Sequence, residues 1–269
     1  MSKAERMQSE EKPPAANSQT EIERRVSEGR IRWAGPLAAM IGRSVLMVVA
    51  QGIVACIYEL RGHPSPWNAA APWWTVYGTL VDAGCLALMV RFTRLEGICL
   101  RDLVGQVRLR RGHDILLGIA FFVVFMQFFS IPGLLASKLV FGTTHPAFYP
   151  GLLAERRLPY WAVIYSFSLW WLIWSPTEEM TYNGYALPRI RALTGSRTLS
   201  VLLVGFWFAL QHSFIPFILD WKYVVWRFLF FLPGVLIASL IYLWIRRLAP
   251  LILAHWPMDL MAAIYTIRF

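Results

Sequence analysis

The segment Leu169-Trp170-Trp171-Leu172-Ile173-Trp174-Ser175-Pro176-Thr177-Glu178-Glu179 carries an unbroken apolar run into two adjacent carboxylates. An ionisable group placed in a bilayer costs on the order of 2.5–3.5 kcal/mol on insertion scales, so such a group faces a protein interior and carries function. From residue 115 to the C-terminus the chain has five acidic residues, Glu155, Glu178, Glu179, Asp220 and Asp259. Glu178, Glu179 and Asp259 form one constellation with His212 and His255, spread over three separate apolar segments.

The rest of the chain shares this apolar character. Of its 269 residues, 57% are hydrophobic and 16% charged, with a mean hydropathy of +0.48, too apolar for a soluble surface. Apolar runs lie at about 34–59, 70–92, 114–136, 159–175, 198–219, 223–245 and 248–266, and each approaches the ~20 residues a membrane-crossing helix needs. The pattern predicts an all-α fold, a polytopic membrane helix bundle of about seven to eight transmembrane helices. The fourth run is short for a full crossing and rich in Trp and Tyr. An eighth, half-buried segment near 180–192 is expected to lie in the interface.

Residues 1–32 read as a polar cytoplasmic tail and 33–269 as the membrane domain, with the chemistry-bearing core at 115–266. The tail has seven Lys/Arg and six Glu, nearly in balance. Disorder is expected from Met1 to about Thr20. Glu21 to Arg32 reads by default as solvated tail, the alternative being a helix on the membrane surface. The net charge of +10 comes from basic residues that flank apolar runs, which suits membrane orientation and not a nucleic-acid surface. Arg91, Arg94, Arg101, Arg108, Arg110 and Arg111 crowd one loop, whereas the 60–69 loop holds only Arg61. The positive-inside rule then places the N-terminus in the cytoplasm, with Arg189, Arg191, Arg197, Arg246 and Arg247 on the same side. Lys138, Arg156 and Arg157 fall on the other. Cys56, Cys85 and Cys99 lack metal-type spacing and imply no disulfide framework. The start does not read as a cleavable signal peptide, and with no targeting signal a bacterial plasma membrane is the expected location.

Ser175, Pro176 and Glu178 stand at the N-cap, first and third positions of a capping box, which predicts a helix start there. Capping accounts for one carboxylate and leaves Glu179 for other work. His212 closes Phe208-Ala209-Leu210-Gln211-His212, with Phe208 one turn before it on the same face, placed to wall the site off from lipid. His255 and Asp259 also stand four residues apart, with Pro257 between them predicting a kink. Arg43 and Asp82 are the ionisable residues of the first two runs, set either to pair with each other or to line a cavity.

In this order, Glu-Glu at 178–179, Phe-x-x-x-His at 208–212 and His-x-x-x-Asp at 255–259, the chain resembles the CAAX protease and bacteriocin-processing (Abi, type II CAAX prenyl endopeptidase) family. The resemblance covers roughly residues 115–266 and extends to Gly184-Tyr185-Ala186-Leu187-Pro188-Arg189. The family's first motif is Glu-Glu-x-x-x-Arg, and Asn183 stands here where the Arg is usual. Asn183 offers neutral donors in place of a guanidinium, with Arg189 or Arg191 as the replacement charge.

The resemblance implies an intramembrane endopeptidase in which Glu178 activates a water. Glu179 completes the pair and His212 helps to hold the water. His255 and Asp259 stabilise the oxyanion, and Asn183 and Phe208 support the site. No cofactor or metal is expected. The partners are a membrane-embedded peptide or protein substrate, of the prenylated CAAX or leader-peptide type, and the lipid bilayer; nucleic acid is not one. Three other readings stay open. Two His plus a Glu is also a catalytic zinc set, although no His-Glu-x-x-His is present. An immunity factor or scaffold would keep the fold without activity. A proton-coupled transporter would use the same buried groups.

Overall fold

The computed structural model describes residues 15–105, 111–144 and 158–267, Arg111 by its backbone alone. Residues 1–14, Arg108, Arg110, Glu155, Arg156 and Arg157 lie outside the described residues. Every regular element among the described residues is helical. In chain order they are α1 (Gln19–Ser27), α2 (Ala34–Leu60), α3 (Pro66–Leu95, with a tight turn at Ala71–Trp73) and the short α4 (Arg101–Val104). Then come α5 (Arg111–Phe141), a long rod α6 (160–194), α7 (Arg197–Gln211), α8 (Trp221–Ile245) and α9 (Ala249–Thr266).

Four stretches are long and apolar enough to cross a membrane: Ala34–Leu60, Pro66–Leu95, Gly112–Phe141 and Trp221–Ile245. The remaining runs are the ones that carry Glu178, Glu179, His212, His255 and Asp259. The side chains that make them interesting also make them less apolar or shorter. On α2 the outward stripe Val45, Val49, Ile53 and Ile57 is about half exposed, as a lipid-facing surface would be, while Met40, Arg43, Met47 and Gln51 on the other face are fully buried. Helices α5 and α8 approach through reciprocal glycines. A Cβ on Gly133 would sit 2.3 Å from the ring of Phe230, and one on Gly234 would sit 2.3 Å from the ring of Phe129.

The α6 rod departs from the sequence reading. No helix starts at Ser175. The chain is helical from Tyr160 to Thr194, with π-helical turns at Ser166–Trp170 and Met180–Ala186, and stops at Gly195, whose φ of 65° suits a left-handed C-terminal cap. Pro176 sits inside this helix. Instead of capping, the Ser175 hydroxyl bonds the Trp171 carbonyl and Thr177 bonds the Ile173 carbonyl (2.8 Å), so both back-bond onto the preceding turn. The 180–192 segment is a continuation of the fourth run, not a half-buried interfacial piece, and residues 181–190 are all buried. Pro257 likewise lies within an uninterrupted α9.

Residues 15–32 are not a solvated tail. Ser18 caps α1, and Ile22 and Arg25 are buried. Glu96, just past α3, accepts from Arg25 (3.2 Å) and, through both oxygens, from Arg189 on α6 (2.7 and 2.5 Å). Asn17 donates to the Gly184 carbonyl (3.0 Å), and Arg246 donates to the Asn17 carbonyl (3.0 Å). This hub ties the N-terminal segment to the second π turn of α6. It also engages Arg189, which is therefore not a replacement charge at Asn183.

Candidate active site

The second π turn begins where the paired carboxylates stand. Consecutive helical residues point about 100° apart, so Glu178 and Glu179 serve different neighbours. Glu178 is fully buried, and its Oε1 accepts from the side-chain amide of Gln211. The same oxygen lies 3.8 Å from Nε2 of His212 and 3.9 Å from Nη2 of Arg43. Its Oε2 lies 3.2 Å from Nε2 of His255. Glu179 turns the other way, toward Nδ1 of His255 (3.1 Å) and the amide of Asn183, which donates to it at 2.8 Å. The Asn183 oxygen accepts from Ser239 of α8 (3.0 Å).

His255 therefore stands among three carboxylates, with Asp259 Oδ1 3.6 Å from its Nε2. The sequence pattern indicated only the Asp259 partner. Asp259 itself is held by the hydroxyl of Ser175. His212 closes the end of α7 and does not sit within a longer helix. The chain leaves the helix at Ser213, and the turn that follows is pinned by Gln51, whose amide donates to the Phe217 carbonyl (2.9 Å) and accepts from the Phe217 N–H (2.7 Å). Nδ1 of His212 bonds the Phe208 carbonyl at 2.8 Å. A carbonyl only accepts, so the proton is on Nδ1 and Nε2 faces the site with a lone pair. The His212 ring stacks on Phe231 (3.8 Å between centroids), and Phe208 stacks on Tyr182 (4.4 Å).

These groups border a cavity of about 350 Å³. Glu179, His212, His255 and Asp259 form its polar end. Aromatic rings make about half of the rest, among them Trp170, Trp174, Phe208, Trp226 and Phe231, and Arg227 also lines it. Glu178 sits immediately behind this wall, between the two imidazoles. The structure thus brings together all seven residues singled out from the sequence. Among the described residues, no group of three or more His, Cys, Asp or Glu side chains is arranged to enclose a metal ion.

Residues 159–261 match the family model of the Rce1-like type II CAAX prenyl endopeptidases. The match takes in Glu178, Glu179, Asn183, Phe208, His212, His255 and Asp259, and it excludes α2 and α3. This is a family of CAAX proteases. Together with the apolar helices, the match supports a multi-pass membrane protein whose residues 159–261 are similar to that protease family. Among curated proteins and solved structures, nothing matches the chain.

The sequence did not reveal Gln211, and it revealed Arg43 only in part. Gln211 directly precedes His212 and bonds Glu178, but a lone Gln in an apolar helix carries no motif. Arg43 and Asp82 do pair, with Nη1 2.9 Å from Oδ1. The pairing hid the fact that Arg43 also reaches the Glu178 side of the site. Its helix lies far away in sequence, so no spacing rule could reveal it.

Proposed function

We propose that the protein is an intramembrane endopeptidase that hydrolyses a peptide bond of a membrane-associated substrate with a glutamate-activated water. The observation that carries this reading is the convergence of His212 and His255, at the polar end of an aromatic cavity, on Glu178 directly behind it. The water's oxygen attacks the peptide carbonyl carbon while Glu178 takes its proton. His212, with its Nε2 lone pair turned to the site, holds the water by accepting its other hydrogen. His255 donates to the oxyanion, and Glu179 and Asp259 hold its ring. The proton on Glu178 then passes to the leaving nitrogen as the C–N bond breaks.

A guanidinium 3.9 Å from Glu178 opposes a dication on the same carboxylate, which favours glutamate chemistry over zinc. No cofactor is required by this scheme. The greasy cavity fits a lipidated or apolar peptide, and of the two substrate types the family match favours a prenylated CAAX tail over a leader peptide. Counting α6, α7 and α9 with the four long spans gives seven crossings. Arg25, Arg30, Arg189, Arg246 and Arg247 gather at one end of the bundle, which supports a cytoplasmic N-terminus.

The test is cleavage of an internally quenched peptide carrying a farnesylated cysteine three residues from its C-terminus. Glu178→Gln should lower kcat by about 10³-fold or more while the melting temperature and helical content persist. Full turnover by that variant would remove Glu178 from the mechanism.

A further inference from the structure

A line of polar groups runs from α3 through α2 and α7 to the carboxylate pair. Arg43 is fully buried on α2. Its Nη1 donates to Asp82 (2.9 Å), its Nε donates to the Gln211 oxygen (2.8 Å), and the Gln211 nitrogen donates to Glu178. Its guanidinium lies over the ring of Trp174, 4.3 Å from the centroid. A buried Arg–Asp pair needs no Gln, and a Gln amide is by itself indifferent to which end faces which neighbour. Arg43 removes that indifference. A guanidinium can only donate, so the Gln211 oxygen must face it and the NH₂ must face Glu178. The remaining nitrogen, Nη2, has no hydrogen-bond partner and points toward Glu178 at 3.9 Å.

The position four residues after Glu179 is the one where the motif would place a guanidinium. Asn183 fills it with a neutral amide that satisfies only Glu179 and Ser239. Within the matched region Arg227 of α8 lines the cavity and donates to the His212 carbonyl (3.0 Å), whereas the guanidinium 3.9 Å from Glu178 arrives from outside it, on α2.

We propose that Arg43 is a positioning residue for hydrolysis, orienting Glu178 through Gln211 and supplying the positive charge that Asn183 does not. The inference rests on Glu178 being the base. Arg43 acts on the base and does not line the cavity, so its loss should reduce kcat and spare KM. Asp82 steadies Arg43 from behind and is the partner that a purely structural pair would need most.

The experiment measures kcat, KM and melting temperature of the full chain in detergent on the farnesylated peptide, for R43M, R43K, Q211M, D82N and the R43M/Q211M double variant. R43M should lower kcat about 10²-fold, the size of a lost preorganised charge, with KM within about twofold. R43K should recover about tenfold of that, because it keeps the charge and loses the Nε bond to Gln211. The double variant should be no slower than R43M, because the two residues act as one unit. D82N should lose far less than R43M. If R43M fails to fold, R43K and Q211M carry the test, each expected to lower kcat at unchanged KM. Wild-type kcat in R43K and Q211M, additive losses in the double variant, or D82N matching R43M in both kcat and melting temperature would overturn the proposal. E178Q runs alongside: turnover by E178Q sinks the functional reading itself, whereas an inert E178Q beside fully active Arg43 variants sinks only the positioning role.

Discussion

Glu96→Ala tests whether the N-terminal segment is part of the folded bundle. Glu96, Arg25 and Arg189 are each at most 2% exposed, and the one carboxylate accepts from both guanidiniums. Removing it leaves two buried cations without their counterion. Breaking a buried pair by deleting one partner costs about 3–5 kcal/mol, because the stranded charge stays desolvated. For a chain of this size that corresponds to a fall in melting temperature on the order of 10 °C. Glu28→Ala is the control, because its pairs with Arg24 and Arg30 are at least one-third exposed and such pairs contribute only about 0–1 kcal/mol. The assay is thermal unfolding in detergent micelles followed by tryptophan fluorescence, with limited proteolysis between residues 15 and 32 as a second readout. Glu96→Ala should melt well below Glu28→Ala and be cut early in the N-terminal segment. Melting temperatures within about 2 °C of each other, the range expected of exposed pairs, would refute the claim that the hub holds this segment to the core.

Three further outcomes follow from the site and its packing. Asn183→Asp sets a carboxylate oxygen where an amide now donates to Glu179 at 2.8 Å, so unfolding free energy should fall by about 1–3 kcal/mol and peptide cleavage should drop. Measured cleavage at the wild-type rate would separate Glu179 from the reaction. Gly234→Ala drives a methyl into the Phe129 ring across the α5–α8 contact, costing about 1–3 kcal/mol by overpacking. Because Phe129 lines the cavity, KM for the farnesylated peptide should rise with it. Prolonged chelation should leave cleavage unchanged; activity lost to a chelator and restored by zinc would replace glutamate chemistry with metal chemistry.

How much of this was readable in the chain depends on the range of the interaction. The acid and imidazole side chains were legible because apolar segments make any ionisable residue conspicuous. The helical fold was legible for the same reason. The capping box at Ser175 misled because a serine hydroxyl has two local options, an N-terminal cap or the carbonyl one turn back. With an apolar helix already formed before it, the chain stays helical through Pro176, and Ser175 bonds Trp171 and Asp259 instead. Residues 15–32 looked like tail because their charges balance along the sequence. Their real partners, Glu96 and Arg246, stand at the C-terminal ends of α3 and α8. Arg43 was visible, but its second partner, Gln211, is 168 residues away in sequence.

Two adjacent glutamates are more useful than one where the regular helix Trp171–Glu179 meets the π turn Met180–Ala186. In a regular helix the two carboxylates diverge by about 100°, and a single neighbour would meet only one. Here His255 descends from α9 into the angle between them, with Nε2 3.2 Å from Glu178 and Nδ1 3.1 Å from Glu179. The π turn starts immediately after Glu179 and widens the backbone there, and such single insertions recur at functional sites. One face of the pair is then fixed by α8 through Asn183 and Ser239, and the other by α2 and α7 through Arg43 and Gln211. Glu179 is committed to holding the imidazole. Glu178 Oε2 makes no hydrogen bond and faces Nε2 of His255 at 3.2 Å, on the side where the proposed water would be activated.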